Sequence, residues 1–241
     1  TITGATLSVN EDTDLAITGN SIADVDDTSM ASVAITASRG VFDLAQTTDL
    51  TFATNSGDGT DDTTMTFSGT VTKINLAIAT LTWTSASDDD ADATITIVTT
   101  DSSGASDTDS MSITVGSVND APTTSGGSAT PVEDATHTFT TTAGDWGFAD
   151  VDSGDAMTSI DFTSLPASGT LMYDSAAVTA GDDIAIANLG GVTYVPVANA
   201  NGAVTFTFKV FDGDALSADV GTYTMTSVSY THLTLPTNLR V

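Results

Sequence analysis

The stretch AVTFTFKVF, residues 203–211, alternates apolar and polar side chains with a period of two. In an extended strand this pattern places Val204, Phe206, Phe208 and Val210 on one face, because successive side chains point to opposite sides of a sheet. Shorter segments rich in Thr, Val and Ile recur along the chain and are separated by turns of Gly, Asp and Ser. Many short strands at regular spacing predict an all-β sandwich.

A proline-containing joint, VNDAP at residues 118–122, divides the chain near its midpoint. Pro122 fixes its own φ, lacks an amide hydrogen and favours extended geometry in the residue before it. Residues 111–115 alternate as a final strand should, whereas residues 123–130 are a featureless run of Ser, Thr and Gly. The joint therefore predicts two sandwich domains with a linker between them. The predicted boundaries are residues 1–117, 118–123 and 124–228.

One segment departs from the strand pattern. Residues 72–79 place apolar residues such as Ile74 among good helix formers, and Thr70 or Thr72 can cap the first turn. We predict one or two helical turns here.

The last segment, SYTHLTLPTN and its continuation at residues 229–241, resembles the translated read-through of a sequencing adapter. It also differs in composition from what precedes it, so we predict a non-native tail and leave it out of the functional reasoning. Because the chain begins without Met or a signal sequence, we expect a piece of a longer protein.

The charge balance is 4 Lys and Arg against 32 Asp and Glu, a formal net charge of −28. Nucleic acids and anionic membranes are poor partners for such a chain, because phosphate binding needs clustered cations. Self-repulsion opposes compaction unless cations neutralise it, which leaves two interpretations: bound divalent ions, or an acidic surface adapted to high salt. The absence of Cys excludes disulfides, Cys-bound zinc and thiol catalysis. No apolar run approaches the ~18 residues that would span a bilayer.

Three landmarks occur in the same order in each half of the chain, which identifies an internal repeat. A Glu-Asp pair comes first, then the sequence ADVD, then an Asp that follows a strand and precedes a Gly. The matched positions are Glu11-Asp12 with Glu133-Asp134, residues 23–26 with 149–152, and Asp101 with Asp212.

The repeated carboxylates have the chemistry of a hard-cation site. Calcium takes six to eight oxygens from carboxylates, amides, carbonyls and water. An Asp-x-Asp pair in an extended segment projects both carboxylates to one side, as Asp24 with Asp26 and Asp150 with Asp152 would. The acidic run at residues 88–92 is a further source of ligands or, equally, a solvated loop.

The order of these motifs resembles the calcium sites of the cadherin family, and more closely the cadherin-like tandem repeats of very large bacterial surface adhesins. The resemblance covers nearly all of residues 1–228 and rests on the joint at 118–122, the Asp-x-Asp pairs, and two further runs, LSVNED at 7–12 and LAIATLTW at 76–83. It implies two tandem Greek-key β-sandwiches of the cadherin or immunoglobulin-like kind, acting as an extracellular, calcium-stiffened spacer of a secreted or surface-anchored bacterial adhesin.

The resemblance also implies which residues hold calcium (Ca²⁺) at the joint. Asn119 and Asp120 of the linker would act with carboxylates from both domains, and the remaining repeated positions would be half-sites for neighbouring repeats of a longer chain. The implied joint ligands are Glu11, Asp88, Asp90, Asn119, Asp120, Asp150, Asp152 and Asp212, and the half-sites are Asp24, Asp26, Asp101 and Glu133. Ser117 and Ala121 stand where cadherin linkers carry Asp or Asn, which implies fewer ions or weaker sites.

Two other function classes compete with the spacer. A hydrolase is disfavoured because His137 is the only His outside the predicted tail and lies in an alternating strand, so we expect no enzyme. A carbohydrate- or ligand-binding module is the alternative, since Trp146 lies in a Gly-rich loop where an exposed ring could stack on a sugar. A buried Trp146 would instead favour the spacer. Adhesive ligands on cell surfaces or polysaccharides would then bind other domains.

Overall fold

The computed structural model describes residues 6–228, so the predicted tail at 229–241 lies outside it. The chain divides into two compact units between Val118 and Asn119. Each unit is described by itself.

Unit 1 consists of nine short strands and one helix within the described range. The elements are β1 (Thr6–Asn10), β2 (Leu15–Ala16), β3 (Ser29–Ala37), β4 (Val41–Leu44), β5 (Thr51–Phe52), β6 (Thr64–Thr70), α1 (Val71–Ile78), β7 (Leu81–Thr84), β8 (Ala93–Thr100) and β9 (Ser106–Gly116).

Two sheets enclose the core of unit 1. One sheet has the order β1-β9-β8-β3-β6-β5 and the other β2-β7-β4, and β1 pairs in parallel with β9. Ile35 and Phe67 from the first sheet and Phe42 and Trp83 from the second are fully buried in one cluster. Burial of each such side chain stabilises the fold by about 1.5–3 kcal/mol, which is why the alternating strands hold together as layers.

The helical turns predicted in unit 1 are confirmed as α1. The Thr70 hydroxyl accepts a hydrogen bond from Lys73 N at 3.3 Å, which satisfies one of the first-turn amides and begins the helix at the end of β6. Ile74, Ala77 and Ile78 form its buried face against the core.

Unit 2 consists of eleven short strands and two 3₁₀ helices within the described range. The strands are β10 (Thr123–Thr124), β11 (Gly127–Ala129), β12 (His137–Thr138), β13 (Phe148–Ala149), β14 (Ser159–Phe162), β15 (Thr170–Tyr173), β16 (Ala176–Ala177), β17 (Asp183–Ala185), β18 (Val192–Val195), β19 (Gly202–Phe211) and β20 (Gly221–Ser227), and the 3₁₀ helices are Ala143–Trp146 and Ile186–Gly191.

The main sheets of unit 2 have the orders β11-β20-β19-β14-β17 and β12-β18-β15-β16, with β10 and β13 paired separately. On β19, Phe206, Phe208 and Val210 are fully buried, which confirms the face predicted from the alternating stretch. Phe206 stacks on Tyr223 with ring centroids 5.3 Å apart, and Trp146 packs against the same two rings.

The run at residues 123–130 is not featureless, because it contains β10 and β11. β11 has no alternating pattern of its own and forms by pairing in parallel with β20. A Cβ added at Gly127 would come within 2.6 Å of the Tyr223 ring, so this strand position requires glycine. Sequence periodicity could not reveal a strand whose partner is about a hundred residues away.

The two units share one topology, which confirms the internal repeat and the all-β sandwich. In each, the first strand of the larger sheet pairs in parallel with the last strand of the unit, as β1 does with β9 and β11 with β20. The same order then follows, β9-β8-β3-β6 in unit 1 and β20-β19-β14-β17 in unit 2. Within residues 6–228, no helix is long and apolar enough to cross a membrane.

Candidate metal centres

The ADVD loop of unit 2 brings three carboxylates together at Asp150, Asp152 and Asp155. Each offers an oxygen within 4.8 Å of the others. Asp150 Oδ1 accepts a hydrogen bond from Asp152 N at 3.1 Å, which curls the loop so that the acidic side chains share one side. The intervening Val151 is 58% exposed. In this loop the apolar side chain of Val151 is exposed to solvent while the carboxylates lie close together.

The linker residues Asn119 and Asp120 donate hydrogen bonds to two carboxylates of unit 2, those of Asp212 and Asp152. Asp120 N donates to Asp152 Oδ2 at 2.7 Å, and Asn119 Nδ2 donates to Asp212 Oδ2 at 3.3 Å. Asp212 itself directly follows β19 and is 8% exposed. Hydrogen bonds therefore connect Asn119 with Asp212, and Asp120 with Asp152 and through it Asp150, inside unit 2.

Asp212 is anchored by backbone amides. Its Oδ1 accepts from Asp214 N at 2.6 Å and from Ala215 N at 2.7 Å. Desolvation acts to raise its pKa, but the hydrogen bonds from Ala215, Asp214 and Asn119 outweigh that and hold the pKa below its usual range. The carboxylate is consequently kept in the charged form that a cation requires.

Asp155 is a member of this group that the sequence reasoning missed. Partial desolvation and the charges of Asp152 and Asp150 raise the pKa of Asp155, followed by smaller contributions from Asp212 and Asp214. Asp155 N donates to Asp152 O at 3.3 Å, so a turn directly after the Asp-x-Asp pair carries the third carboxylate back to it. The spacing D-x-D-x-x-D was the available signal.

In unit 1, Glu11 is a buried carboxylate at the end nearest the linker. It is 3% exposed, its N–H donates to Gly116 O at 3.0 Å, and its Oε1 accepts from Val118 N at 2.8 Å. The ion pairs that the structure describes are Arg39 with Asp89 and Lys73 with Asp49, and neither includes Glu11. A buried charge of this kind is costly unless a cation or further donors offset it.

Asp12 and Asp88 are close together in unit 1. Asp88 N donates to Asp12 Oδ1 at 3.4 Å, and carboxylate oxygens of the two residues lie within 4.8 Å. Both residues have positive φ, 55° and 54°, a conformation that Asp tolerates better than most side chains. Asp12 was recognised in sequence only as part of the repeated Glu-Asp pair.

The acidic run after Asp88 is divided among different roles. Asp89 forms an ion pair with Arg39 at 2.9 Å and also accepts from Ala91 N, so it anchors the loop. Asp92 Oδ1 accepts from Val115 N at 3.1 Å. Asp90 is exposed and belongs to neither carboxylate group found among residues 6–228. The structure brings Asp88 to Asp12 but does not bring Asp90 there.

Two of the three predicted half-site residues of unit 1, Asp24 and Asp101, line a cavity of about 250 Å³ together with Asp107 and Asp109, whereas Asp26 does not line it. Hydrogen bonds from Asp27 N and Asp26 N lower the pKa of Asp24, whereas the side chain of Asp24 raises the pKa of Asp26. The pKa of Asp101 is lowered, first by the Ser103 hydroxyl.

Glu133 and Asp134 repeat the arrangement of Glu11 and Asp12. Glu133 N donates to Val228 O at 3.0 Å, as Glu11 N does to Gly116 O. Asp134 Oδ1 accepts from Asn199 N at 2.7 Å, and both residues have a φ of 59°. Asn199 therefore occupies in unit 2 the place of Asp88 in unit 1.

Calcium fits the unit 2 group by its donor chemistry. All the candidate ligands are carboxylate or amide oxygens, the type that calcium prefers. Asp150 Oδ2 is buried and makes no hydrogen bond, which leaves a charged acceptor that lacks a partner. The residues present thus suit a hard cation, and the buried orphan atom is the observation on which that fit rests.

Trp146 does not offer a sugar-stacking face. It is fully buried, its Nε1 donates to Thr140 O at 3.2 Å, and its ring contacts Phe139, Phe208 and Tyr223. Of the two interpretations of Trp146, the structure confirms the buried one, because the residue is part of the core. His137 pairs within a sheet and contacts Phe139 edge-on at 5.0 Å.

Comparison with solved structures returns cadherin extracellular regions and a polysaccharide hydrolase. Human mucin-like protocadherin EC1-2 has a TM-score of 0.48 at 11% identity, covering 95% of this chain and 98% of that one. Human CDH23 EC21-23 has a TM-score of 0.46 at 15% identity, covering 93% and 72%. An endo-fucoidan hydrolase from glycoside hydrolase family 107 has a TM-score of 0.31 at 17% identity, covering 95% of this chain.

These similarities concern shape and assign neither a family nor an activity. The chain spans only 28% of the fucoidan hydrolase and 38% of a similar protocadherin gamma B2 structure. No protein-family model and no curated protein sequence matches the chain.

Proposed function

We propose that this chain is an adhesion-type extracellular spacer whose joint between two sandwich units is stiffened by calcium, as part of a large bacterial surface adhesin. The carrying observation is the acidic group of unit 2, where Asp150, Asp152 and Asp155 converge and Asp150 Oδ2 is buried without a partner. A net charge of −28 makes cation binding the simplest way to relieve such a cluster.

A carboxylate in each unit accepts a hydrogen bond from the linker backbone. In unit 1, Glu11 accepts from Val118 N, and in unit 2, Asp152 accepts from Asp120 N. Val118 and Asp120 are two residues apart in the chain. Each unit therefore uses a carboxylate to hold its own end of the linker backbone, and the proposal assigns calcium to these carboxylates.

In this proposal Asp150, Asp152, Asp155, Asp212 and the linker oxygens hold calcium from one unit. Glu11, Asp12 and Asp88 supply the carboxylates of the other. Bound calcium supplies the positive charge that offsets repulsion among these carboxylates. The protein's own contribution is to hold them in place through backbone donors such as Ala215 N. Asp90, which is exposed and lies in neither carboxylate group, is not one of the proposed ligands.

Calcium titration of the full chain tests the proposal. Extracellular modules bind calcium with dissociation constants of about 0.1–1 mM. At 100 times the dissociation constant, one ion stabilises the folded state by about 2.7 kcal/mol. We expect calcium to raise the melting temperature and to increase the maximum particle dimension in small-angle scattering, with magnesium having a much smaller effect.

The variant Asp152→Ala distinguishes the effect of calcium on the joint from its effect on the stability of the individual units. It removes one carboxylate and the acceptor for Asp120 N, so the calcium-dependent change in particle dimension should disappear while the melting of unit 1 is preserved. If neither melting nor scattering responds to millimolar calcium, the carboxylates form only an acidic surface and the proposal fails. We propose in addition that the chain is not an enzyme; turnover of any saccharide substrate would contradict this.

A further inference from the structure

A second cavity of about 230 Å³ lies in unit 2 and shares no residue with the acidic groups described above. Ser159 and Asp161 of β14, Asp183 of β17 and Phe211 of β19 line it. Their neighbours Ile160 and Ile184 are buried in the core. Because side chains alternate along a strand, the cavity lies on the sheet face that points away from the core.

The loop after β19 forms one side of this cavity. Ser217 N donates to Val210 O at 2.8 Å, and Leu216 is bridged to Phe211. This return brings the 44% exposed Leu216 side chain to the cavity opposite the sheet. The cavity is thus bounded by two apolar side chains on one part of its wall and by polar side chains on another.

Two polar atoms in the cavity wall have no hydrogen-bond partner. Ser159 is 94% buried, since its exposed fraction is 6%, and its Oγ is unpaired. Asp161 Oδ1 is likewise buried and unpaired. Buried polar atoms are normally satisfied, so two orphans in one small cavity indicate that a donor from outside the chain completes them.

The cavity also carries unbalanced negative charge. Asp161 and Asp183 are directly opposed in the β14–β17 pair, where like charges are destabilising. The other cross-strand neighbour of Asp161 is Lys209, yet the ion pairs found in the described part of the chain do not include it. A ligand that is both positively charged and rich in N–H donors would satisfy the polar part of the wall.

We propose that this cavity binds a primary alkylammonium group, whose charge and three N–H donors face Ser159, Asp161 and Asp183 while its alkyl stem contacts Phe211 and Leu216. An ammonium has donors and no acceptor, which matches a wall of acceptors. The apolar residues disfavour a bare metal ion, which takes six or more oxygens. The group can come from a lysine side chain of a protein or from a free amine.

Titration of the full chain with n-butylammonium chloride, followed by amide chemical shifts, tests this site. We expect saturable shifts confined to residues 159–162, 181–185 and 211–216. Tetramethylammonium supplies charge without donors and n-butanol supplies the stem without charge, so both should bind at least about tenfold more weakly. Nα-acetyl-lysine methylamide distinguishes the sources: binding as tight as that of butylammonium identifies a protein side chain, and weaker binding identifies a free amine.

Three variants complete the test. Asp183→Asn should weaken butylammonium binding by about tenfold or more, because a hydrogen bond to a charged acceptor is replaced by one to a neutral amide. Asp174→Asn is the matched control, since Asp174 is an exposed turn residue with a φ of 48° that Asn tolerates. Asp161→Asn repeats the test at the partly buried carboxylate, with melting temperature as a check on folding.

Several results would overturn the site. Shifts spread over the whole chain would mean general attraction to an acidic protein. If tetramethylammonium binds as tightly as butylammonium, the N–H donors play no part in binding. If Asp183→Asn leaves the butylammonium affinity unchanged, the Asp183 carboxylate plays none. Shifts of the same amides by methyl glucoside in place of butylammonium would assign the cavity to a saccharide, and shifts by calcium alone would assign it to a metal.

Discussion

The loops around Asp24 and Asp150 have the same sequence, ADVD, but their carboxylates have different partners. Asp24 Oδ1 accepts from two backbone amides, Asp26 N and Asp27 N. Asp150 Oδ1 accepts from Asp152 N, and its second oxygen is buried and unpaired. Among the described residues, the unit 2 loop but not the unit 1 loop is followed by a third converging carboxylate, that of Asp155. Identical motifs thus differ in whether they bury a carboxylate oxygen without a hydrogen-bond partner.

The structure supplies a way to measure each unit separately. The chain has two tryptophans, and each is buried in the core of one unit, Trp83 in unit 1 and Trp146 in unit 2. In the variant Trp146→Phe the fluorescence reports unit 1, and in Trp83→Phe it reports unit 2. Calcium-dependent melting can then be assigned to a unit in the full chain.

The largest expected effect comes from neutralising Asp150, and the matched residue Asp24 serves as its control. Asp150→Asn should reduce the calcium affinity reported by Trp146 by at least about tenfold, equivalent to 1.4 kcal/mol, because it removes the partnerless charge. In chelator the same variant should melt higher than the parent, since repulsion with Asp152 and Asp155 is relieved. Asp24→Asn, the matched substitution in unit 1, should change affinity only about twofold.

Titrations with calcium and melts in chelator, both followed by the unit-specific tryptophan, check this prediction. Equal affinity losses in the two variants would show that the difference in hydrogen bonding between the loops has no functional consequence.

The next effect concerns Asp88, which corresponds to Asn199 in unit 2. Asp88→Asn makes unit 1 resemble unit 2 and keeps a residue that tolerates positive φ. Because affinity depends on the number of charged ligands, we expect a loss of calcium affinity on the order of three- to tenfold in the Trp83 signal. Asp61→Asn is the control, since Asp61 is an exposed residue of unit 1 with a φ of 50°. A similar loss of calcium affinity in both variants would mean that Asp88 acts only through its contribution to the net charge of the unit.

A smaller effect is expected from the anchor of the acidic loop. Arg39→Gln breaks the ion pair with Asp89 and frees the segment that carries Asp88. We expect about a twofold loss of calcium affinity, the size typical of an exposed ion pair acting indirectly. Lys73→Gln removes the other described ion pair of unit 1, with Asp49, and should leave affinity unchanged. Equal losses would mean that only net charge matters.

The smallest effect is a pH dependence confined to unit 2. Burial lowers the pKa of His137, so the folded state resists protonation. The associated stability is present above the unfolded-state value of about 6.5 and is lost as pH falls from there through the folded-state pKa. Unit 2 of the parent should therefore lose more stability between neutral and mildly acidic pH than His137→Gln, as measured by Trp146. Parallel curves would rule this out.

Much of the fold was predictable because its signals are local. The alternation at residues 203–211, the Thr70 cap and the proline joint each depend on near neighbours, and the structure contains the strand face and the helix that they predict. β11 was missed because its three residues acquire strand geometry from β20. The burial of Trp146 was left open by the sequence, since a Gly-rich loop is compatible with either outcome.

The candidate sites were only partly predictable. Sequence repetition located Asp150, Asp152 and Asp212, but it separated neither Asp88 from Asp90 nor the anchor Asp89 from a ligand. Asp89 is distinguished by Arg39, 50 residues away in the chain. The cavity lined by Ser159 and Asp183 had no sequence signal, because three strands and a returning loop form it.

The sequence by itself determined the strand pattern, the excess of negative charge and the order in which the carboxylates repeat. These properties depend on residue type and spacing. The tertiary structure alone decided which carboxylates have donors and which do not, because a donor can come from any segment that folds nearby. Asp212 accepts from Asn119 across 93 residues of chain, whereas Asp150 Oδ2 is buried and has no donor among the described residues.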